Sequence, residues 1–365
     1  MILHQLWVSA FAQSQNPFSI SYVPRGAVLL RFSYVSPSST AKPRATLASR
    51  SDSSFTSVQA ALPSIGITKR RLKQLEAVQL IREQREKRTQ DLAFHTRPFV
   101  LCGLPLRRPP QSQLLYTRRN GKFFLQIAGH PQFGLPFGQD RLIPIWVATL
   151  ALRQRSRSVR FGTGAEMLDF FRLFKDGKRY HRIMEGFQRI FAATIFFSTS
   201  DQPEGKLLLD WARFHFFDRL HLWFHHQEPA TVPASSAQNL IVLSEAFYDE
   251  IDQHRIPVER EVVALLANAP GVLDFYVWLV WKTWTLNGPS VRIPLFGTGG
   301  LSEQLGSEEY LADRFFRRKI RRWLREVQAL WPQCPASISA DGQSLVLYSA
   351  KRNPAVVAVK NRVNP

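Results

Sequence analysis

The sequence predicts an α+β protein, and two observations carry that prediction. An order of helix, strand, helix, helix and hairpin is read twice along the 365 residues. Short stretches also recur at matching places in the two halves. Ser158-Val159-Arg160 returns as Ser290-Val291-Arg292, and Phe161-Gly162-Thr163-Gly164 returns as Phe296-Gly297-Thr298-Gly299. That order of elements is the order of a winged helix, in which the third helix lies in the DNA major groove and the hairpin forms the wing. The expected architecture is two tandem winged-helix modules, over 97–228 (with an N-terminal hairpin) and 239–350, behind a disordered N-terminal tail.

The elements follow in order. Residues 1–63 are rich in Ser, Pro and Ala without a sustained period, so Ser33 to Ser57 is expected to be disordered. A flexible tail and the product of an upstream start codon both stay open. Residues 64–96 hold a basic, weakly amphipathic helix, Thr68 to Gln90, which reads first as a solvated spacer, with an arm on DNA as the alternative. Arg118-Arg119-Asn120-Gly121 between apolar runs predicts a hairpin. Leu142 to Arg153 predicts a long apolar helix, with Asp140 as its N-cap and Pro144 in its first turn. Strand Val159 to Phe161, helix Gly164 to Phe171 and helix Tyr180 to Ala192 follow. Strands Ile195 to Ser198 and Ala212 to Phe224 flank a loop that includes the turn-rich Ser200 to Gly205. After a link with Pro229 and Pro233, Asn239 to Ile251 predicts a strand then a helix, and Val258 to Leu266 another helix. Gly271 to Leu286 is the second long apolar helix. Strand Val291 to Phe296, helix Gly300 to Leu305, helix Glu308 to Trp331 and a hairpin over Ser337 to Tyr348, turning at Asp341-Gly342, complete the module. Residues 351–365 read as a tail.

The net charge is +20, the isoelectric point about 10.6, and the charge is spread along the chain. Such a field speeds association with nucleic acid or an anionic membrane and disfavours self-association. Cys102 and Cys334 are the only cysteines, and no zinc-ligand spacing occurs, which excludes a disulfide scaffold and points to a reducing cytoplasm. Met1 to Phe11 lacks the preceding Lys or Arg of a secretory signal. Val272 to Leu286 contains Asp274 and Lys282 and falls short of the roughly 20 apolar residues needed to cross a bilayer.

The strongest functional signal lies in Tyr310 to Trp331. At about 100° per residue, Phe316, Ile320, Trp323, Leu324, Val327 and Trp331 share one face. Arg314, Arg318, Arg321 and Arg325 share the opposite face, with Arg317 and Arg322 flanking them. An apolar stripe docks a helix on a core, whereas a stripe of arginines repels itself unless a polyanion lies against it. Guanidinium both clamps phosphate and pairs with a guanine edge. Arg314 and Arg318, nearest the N-terminus, are placed for base edges and the later arginines for phosphate. The plainer readings are a solvated basic face and arginines snorkelling over the core.

In the first module Lys178, His181, Arg182, Gln188 and Arg189 share the outer side of the third helix, with Glu185 among them. This helix either reads a different part of the site or serves in subunit contact. Arg153, Arg155 and Arg157 either grip backbone or form an exposed turn. His221, His225 and His226 suggest a metal cluster, but no carboxylate or cysteine stands at ligand spacing, so ordinary strand histidines are expected. No GxxxxGK[ST] loop, no His-hydrophobic-His pair and no GxSxG elbow occurs, and Gly297-Thr298-Gly299-Gly300 reads as a turn. The expectation is a DNA reader without catalysis, cofactor or metal. A nuclease or primase is the competing class.

Gly134 to Thr149 (GLPFGQDRLIPIWVAT) resembles the hallmark segment of the bacterial plasmid RepA-type replication initiators. Asn239 to Phe247 (NLIVLSEAF), Arg213 to Asp218 (RFHFFD) and Pro294 to Gly297 (PLFG) are similar to further segments of that family, in the right order. The resemblance runs from about Arg97 to Tyr348 and leaves the N-terminal tail outside it. It implies a cytoplasmic protein that binds repeated sites in double-stranded plasmid origin DNA and helps open an adjacent A·T-rich segment. It further implies recruitment of host initiator and replicative helicase, repression of its own gene and a possible homodimer, with no membrane partner. A transcriptional repressor of the same fold is the nearest alternative.

Overall fold

Two helices, Leu142–Gln154 and Pro270–Thr285, are apolar on nearly every side and stand buried at the centre of the fold. A helix of that kind has no face to give to water, so the other elements pack around it. The computed structural model describes residues 69–101, 103–120, 123–199, 210–214, 216–221, 239–297, 299–305 and 313–349. The expected tail over 1–63, the start of the basic helix, the link with Pro229 and Pro233, and residues 351–365 lie outside them.

In chain order the elements are α1 (Lys69–Glu86), β1 (Leu92–His95), α2 (Arg97–Leu101), β2 (Leu115–Asn120), β3 (Phe123–Ala128), α3 (Leu142–Gln154), β4 (Ser158–Phe161), α4 (Ala165–Phe170) and α5 (Gly177–Ala192). β5 (Thr194–Thr199), β6 (Asp210–Phe214), β7 (Phe217–His221), β8 (Asn239–Leu243), α6 (Glu245–His254), β9 (Ile256–Glu259) and α7 (Arg260–Leu266) follow. The last are α8 (Pro270–Thr285), β10 (Ser290–Pro294), α9 (Leu301–Leu305), α10 (Asp313–Leu330), β11 (Ala336–Ile338) and β12 (Ser344–Tyr348). The molecule is a mixed α+β structure with small antiparallel sheets.

In the second half β10 pairs with β12, which pairs with β11, so the strand and its hairpin form one sheet. The first half differs. β5 and β6 extend the β2–β3 hairpin into a four-stranded meander. β4 pairs instead with β8, which lies between β4 and β7. The strand expected to open the second module is thus hydrogen-bonded into the sheet of the first. Its alternation buries Asn239, Ile241 and Leu243. That pattern sets which face goes inward but not which strand lies alongside. The helix expected from Val258 begins at Arg260, and Ile256–Glu259 pairs with β1 as a strand. β-branched Ile256 and Val258 around Pro257 suit that extended backbone.

The joint between the halves is polar, and at Arg141 it is buried. Gly138–Arg141 forms a 3₁₀ turn ahead of α3. Asp140 was expected to cap α3. Its Oδ2 instead accepts from the Phe137 N–H at 2.9 Å and so closes this preceding turn. Arg141 Nη1 donates to the Gly138 carbonyl and Nη2 to the Leu104 carbonyl, both at 2.7 Å. Its Nε lies 2.8 Å from Asp274 Oδ1 on α8. Gln139 Nε2 donates to the Ala267 carbonyl at 3.1 Å, and Arg172 Nη2 pairs with Glu261 at 2.8 Å. Strand β1 packs on α3 while pairing with β9, which ties the halves a second time.

Candidate nucleic-acid interface

Helix α10 presents the two faces expected of it. Phe316, Ile320, Trp323, Leu324 and Val327 are buried. Arg314, Arg318, Arg321, Arg322 and Arg325 are exposed. The buried face sits tightly on α8: a β-carbon at Gly271 would overlap the Trp323 indole, so glycine lets the two helices meet there. The C-terminal end of α10 is held from far away in sequence. Arg85 Nη1 donates to the Leu330 carbonyl at 2.7 Å, while its Nε and Nη2 donate to Glu259 at 3.0 and 2.9 Å. A cation on the last carbonyls of a helix satisfies groups without an intrahelical partner and matches the dipole.

The β11–β12 turn stands beside the arginine face. Gly342 takes φ +66°, and a β-carbon there would lie 2.6 Å from Arg321 Nη2. Arg317 departs from its expected place on the outer flank. It is half-buried, its Nη2 donates to Gln343 Oε1 at 3.1 Å and its guanidinium lies 5.3 Å from the Phe296 ring centroid. Arg317 thus ties the hairpin to the helix. Arg322 Nε donates to Glu326 Oε1 at 2.8 Å, an exposed pair that a phosphate would compete for. Arg314 and Arg318 both lie over the exposed Phe315 ring, at 5.0 and 5.5 Å.

Helix α5 is capped by Asp176, whose Oδ1 accepts from the Arg179 N–H at 2.7 Å. Lys178, His181, Arg182 and Gln188 are exposed along its outer side. Arg189, expected on that surface, is buried. It is 6% exposed and its guanidinium is bound to Asp140. Burial opposes its charge, but the hydrogen bond and charge of Asp140, then Glu185, outweigh this and raise its pKa. Glu185 lies between Arg189 Nη1 (3.6 Å) and His181 Nδ1 (3.3 Å).

The arginine turn after α3 already has partners. Arg153 pairs with Asp91 at 2.7 Å and Arg157 with Asp218 at 2.9 Å, while Arg155 ends the helix at φ +49°. His225 and His226 lie outside the described residues. Among the described residues no group of three His, Cys, Asp or Glu is placed to hold a metal, and no helix is long and apolar enough to cross a membrane.

The two halves share one local device. Glu166 Oε1 accepts from the Gly162 N–H at 2.8 Å, and Glu303 Oε2 accepts from the Gly299 N–H at 2.7 Å. Each carboxylate reaches back four residues onto the glycine turn before its short helix. Sequence reasoning missed Phe315, Arg85 and Gln343. The helical period puts Phe315 away from the apolar stripe and so contained a signal. Nothing local marks Arg85 as a partner of Leu330.

Residues 177–292 match the family described as plasmid encoded RepA protein. The RepA match runs from the first residue of α5 into β10, so α5 lies inside it and α10 beyond its end. Two crystal structures of RctB domains 2 and 3 are similar to the chain. One is 12% identical, covering 71% of this chain and 98% of that one, with a TM-score of 0.45. The other, a selenomethionine derivative, is 13% identical, covering 67% and 93%, with a TM-score of 0.43. No curated protein matches the chain.

Proposed function

We propose that this protein is a plasmid replication initiator that binds repeated origin sites sequence-specifically through two winged-helix modules. The observation that carries the reading is the exposed arginine face of α10, set beside a hairpin and backed by a buried apolar face, on a chain whose residues 177–292 match the plasmid encoded RepA family. In the second module α8, β10, α9, α10 and the β11–β12 hairpin supply the winged-helix order. The first module follows the same order along the chain, but its β5–β6 hairpin joins the β2–β3 sheet and β4 pairs with β8 instead. Arg314, Arg318, Arg321 and Arg325 face the groove, with Arg314 and Arg318 on base edges and Arg322 on phosphate. Lys178, His181, Arg182 and Gln188 form the second contact.

The protein acts by binding. It helps open the origin, brings in host initiator and replicative helicase, represses its own gene and forms a homodimer for that purpose, all in the bacterial cytoplasm. Burial pushes the Cys334 thiol up to about 12, which makes it a poor nucleophile.

The test is binding of the full chain to its plasmid's origin fragment and to a scrambled duplex across a salt series. A specific complex with a steep salt slope is expected. Equal affinity for both duplexes would refute the proposal. Origin binding with unchanged plasmid replication after gene deletion would leave a repressor. A metal-dependent nick or a primer made by pure protein would establish the enzymatic class instead.

A further inference from the structure

We infer that Phe315 reads the methyl group of a thymine in the major groove. The inference rests on α10 being the helix that enters the duplex. Phe315 is 40% exposed, whereas its neighbour Phe316 is buried at 2%. Core packing therefore uses Phe316, and Phe315 spends its ring on the outer surface. It stands in the first turn of α10, the part of a recognition helix that meets base edges. The Arg314 and Arg318 guanidinium groups lie 5.0 and 5.5 Å from its ring centroid, within cation–π range. The ring thereby orders the two side chains assigned to guanine. The 5-methyl of thymine is the apolar feature of the major groove, and an aromatic ring among arginines matches it.

The other module repeats the arrangement. Phe174, just ahead of α5, is 66% exposed, and Arg179 lies 5.0 Å from its ring centroid. An exposed phenylalanine beside an arginine thus stands at the start of the third helix of both modules. The surrounding cations favour a nucleic acid over an apolar protein patch as the partner of these rings.

The test uses the full chain and the duplex that it footprints on its plasmid's origin. Each thymine in turn is replaced by deoxyuridine, which removes the methyl and keeps every hydrogen-bonding group. The wild type is expected to bind about fourfold more weakly at one such position, the value of one buried methyl. Phe315→Ala should bind the natural site about fourfold more weakly and be indifferent to uracil there, while melting like the wild type. A flat uracil profile for the wild type overturns the inference. So does an alanine variant that keeps the wild-type sensitivity. A variant that binds origin DNA normally yet fails to start replication assigns the ring to a protein partner, which also overturns it. Absence of any footprint refutes the DNA reading of α10 itself, so the two failures are distinct.

Discussion

The carboxylate of Asp140 holds the guanidinium of Arg189 through two hydrogen bonds, 2.7 Å from Nε and 3.0 Å from Nη2, with both side chains buried. The pair fastens α5 to the turn that precedes α3. The next residue, Arg141, reaches Asp274 on α8. Two adjacent residues of one turn therefore fix α5 in the first half and the central helix α8 in the second.

Breaking that pair leaves an uncompensated buried charge. Arg189→Ala is expected to lower stability by about 3–5 kcal/mol. Arg182→Ala, exposed on the same helix, should stay within about 0.5 kcal/mol of the wild type and weaken DNA binding. Urea unfolding compares the two, and equal losses would contradict the division into a structural and a surface arginine.

Gly186 approaches the same pair. A β-carbon there would fall 2.7 Å from Asp140 Oδ1 and 3.1 Å from Ile143 Cδ1. Gly186→Ala should therefore cost about 1–3 kcal/mol. Gly177→Ala, where a β-carbon meets nothing within 4 Å, is the control and should be neutral or slightly stabilising. Thermal melts decide, and a harmless Gly186→Ala would show that the pair can yield.

Under the proposed function, Arg318→Ala and Arg322→Gln should separate base reading from phosphate contact. Arg318→Ala should relax preference at one position at a cost of about 1–3 kcal/mol. Arg322→Gln should weaken binding to all duplexes alike and reduce the salt slope by about one. Binding to a panel of single-base variants over several salt concentrations tests both. An unchanged preference profile for Arg318→Ala would remove it from the base edges.

His95 makes the fold acid-sensitive. Burial, then the charge of Arg141, lowers its pKa to about 3. The unfolded chain takes up this proton near 6.5 while the folded chain resists it, so stability is lost as pH falls from there towards 3. His95→Phe removes that titration and keeps a ring against Phe99, which His95 stacks on at 6.0 Å. From pH 7 to pH 5 the wild type should lose about 2 kcal/mol more than the variant. His254, lowered to about 4, acts in the same direction, and Glu250, raised to about 7, acts oppositely. Both remain in either protein, so they largely cancel in the difference. Parallel pH dependence in urea unfolding would contradict the role of His95.

The legible parts share a physical cause. The faces of α10 follow from a 3.6-residue period acting within one element, and the structure buries Phe316, Ile320, Trp323, Leu324 and Val327 as that period requires. The two central helices are apolar on nearly every side, so their burial needs no partner to be named. Arg182 and Arg189 show the limit. They sit on one helix with the same chemistry, yet one is exposed and the other is desolvated against Asp140. Periodicity places a residue at an angle; it does not say what approaches from that side.

By itself the sequence determined the apolar faces, the positive field, the helix–strand order from α8 to β12 and the RepA likeness, because each depends on composition or on neighbours within a few residues. The tertiary structure alone decided the rest. It placed β8 between β4 and β7, put Arg85 on the last carbonyl of α10, and turned Arg317 to the hairpin. These are pairings across long separations. A buried strand edge, a helix end or a charge needs a partner, but many residues satisfy the same need, and only packing selects which one comes within bonding distance.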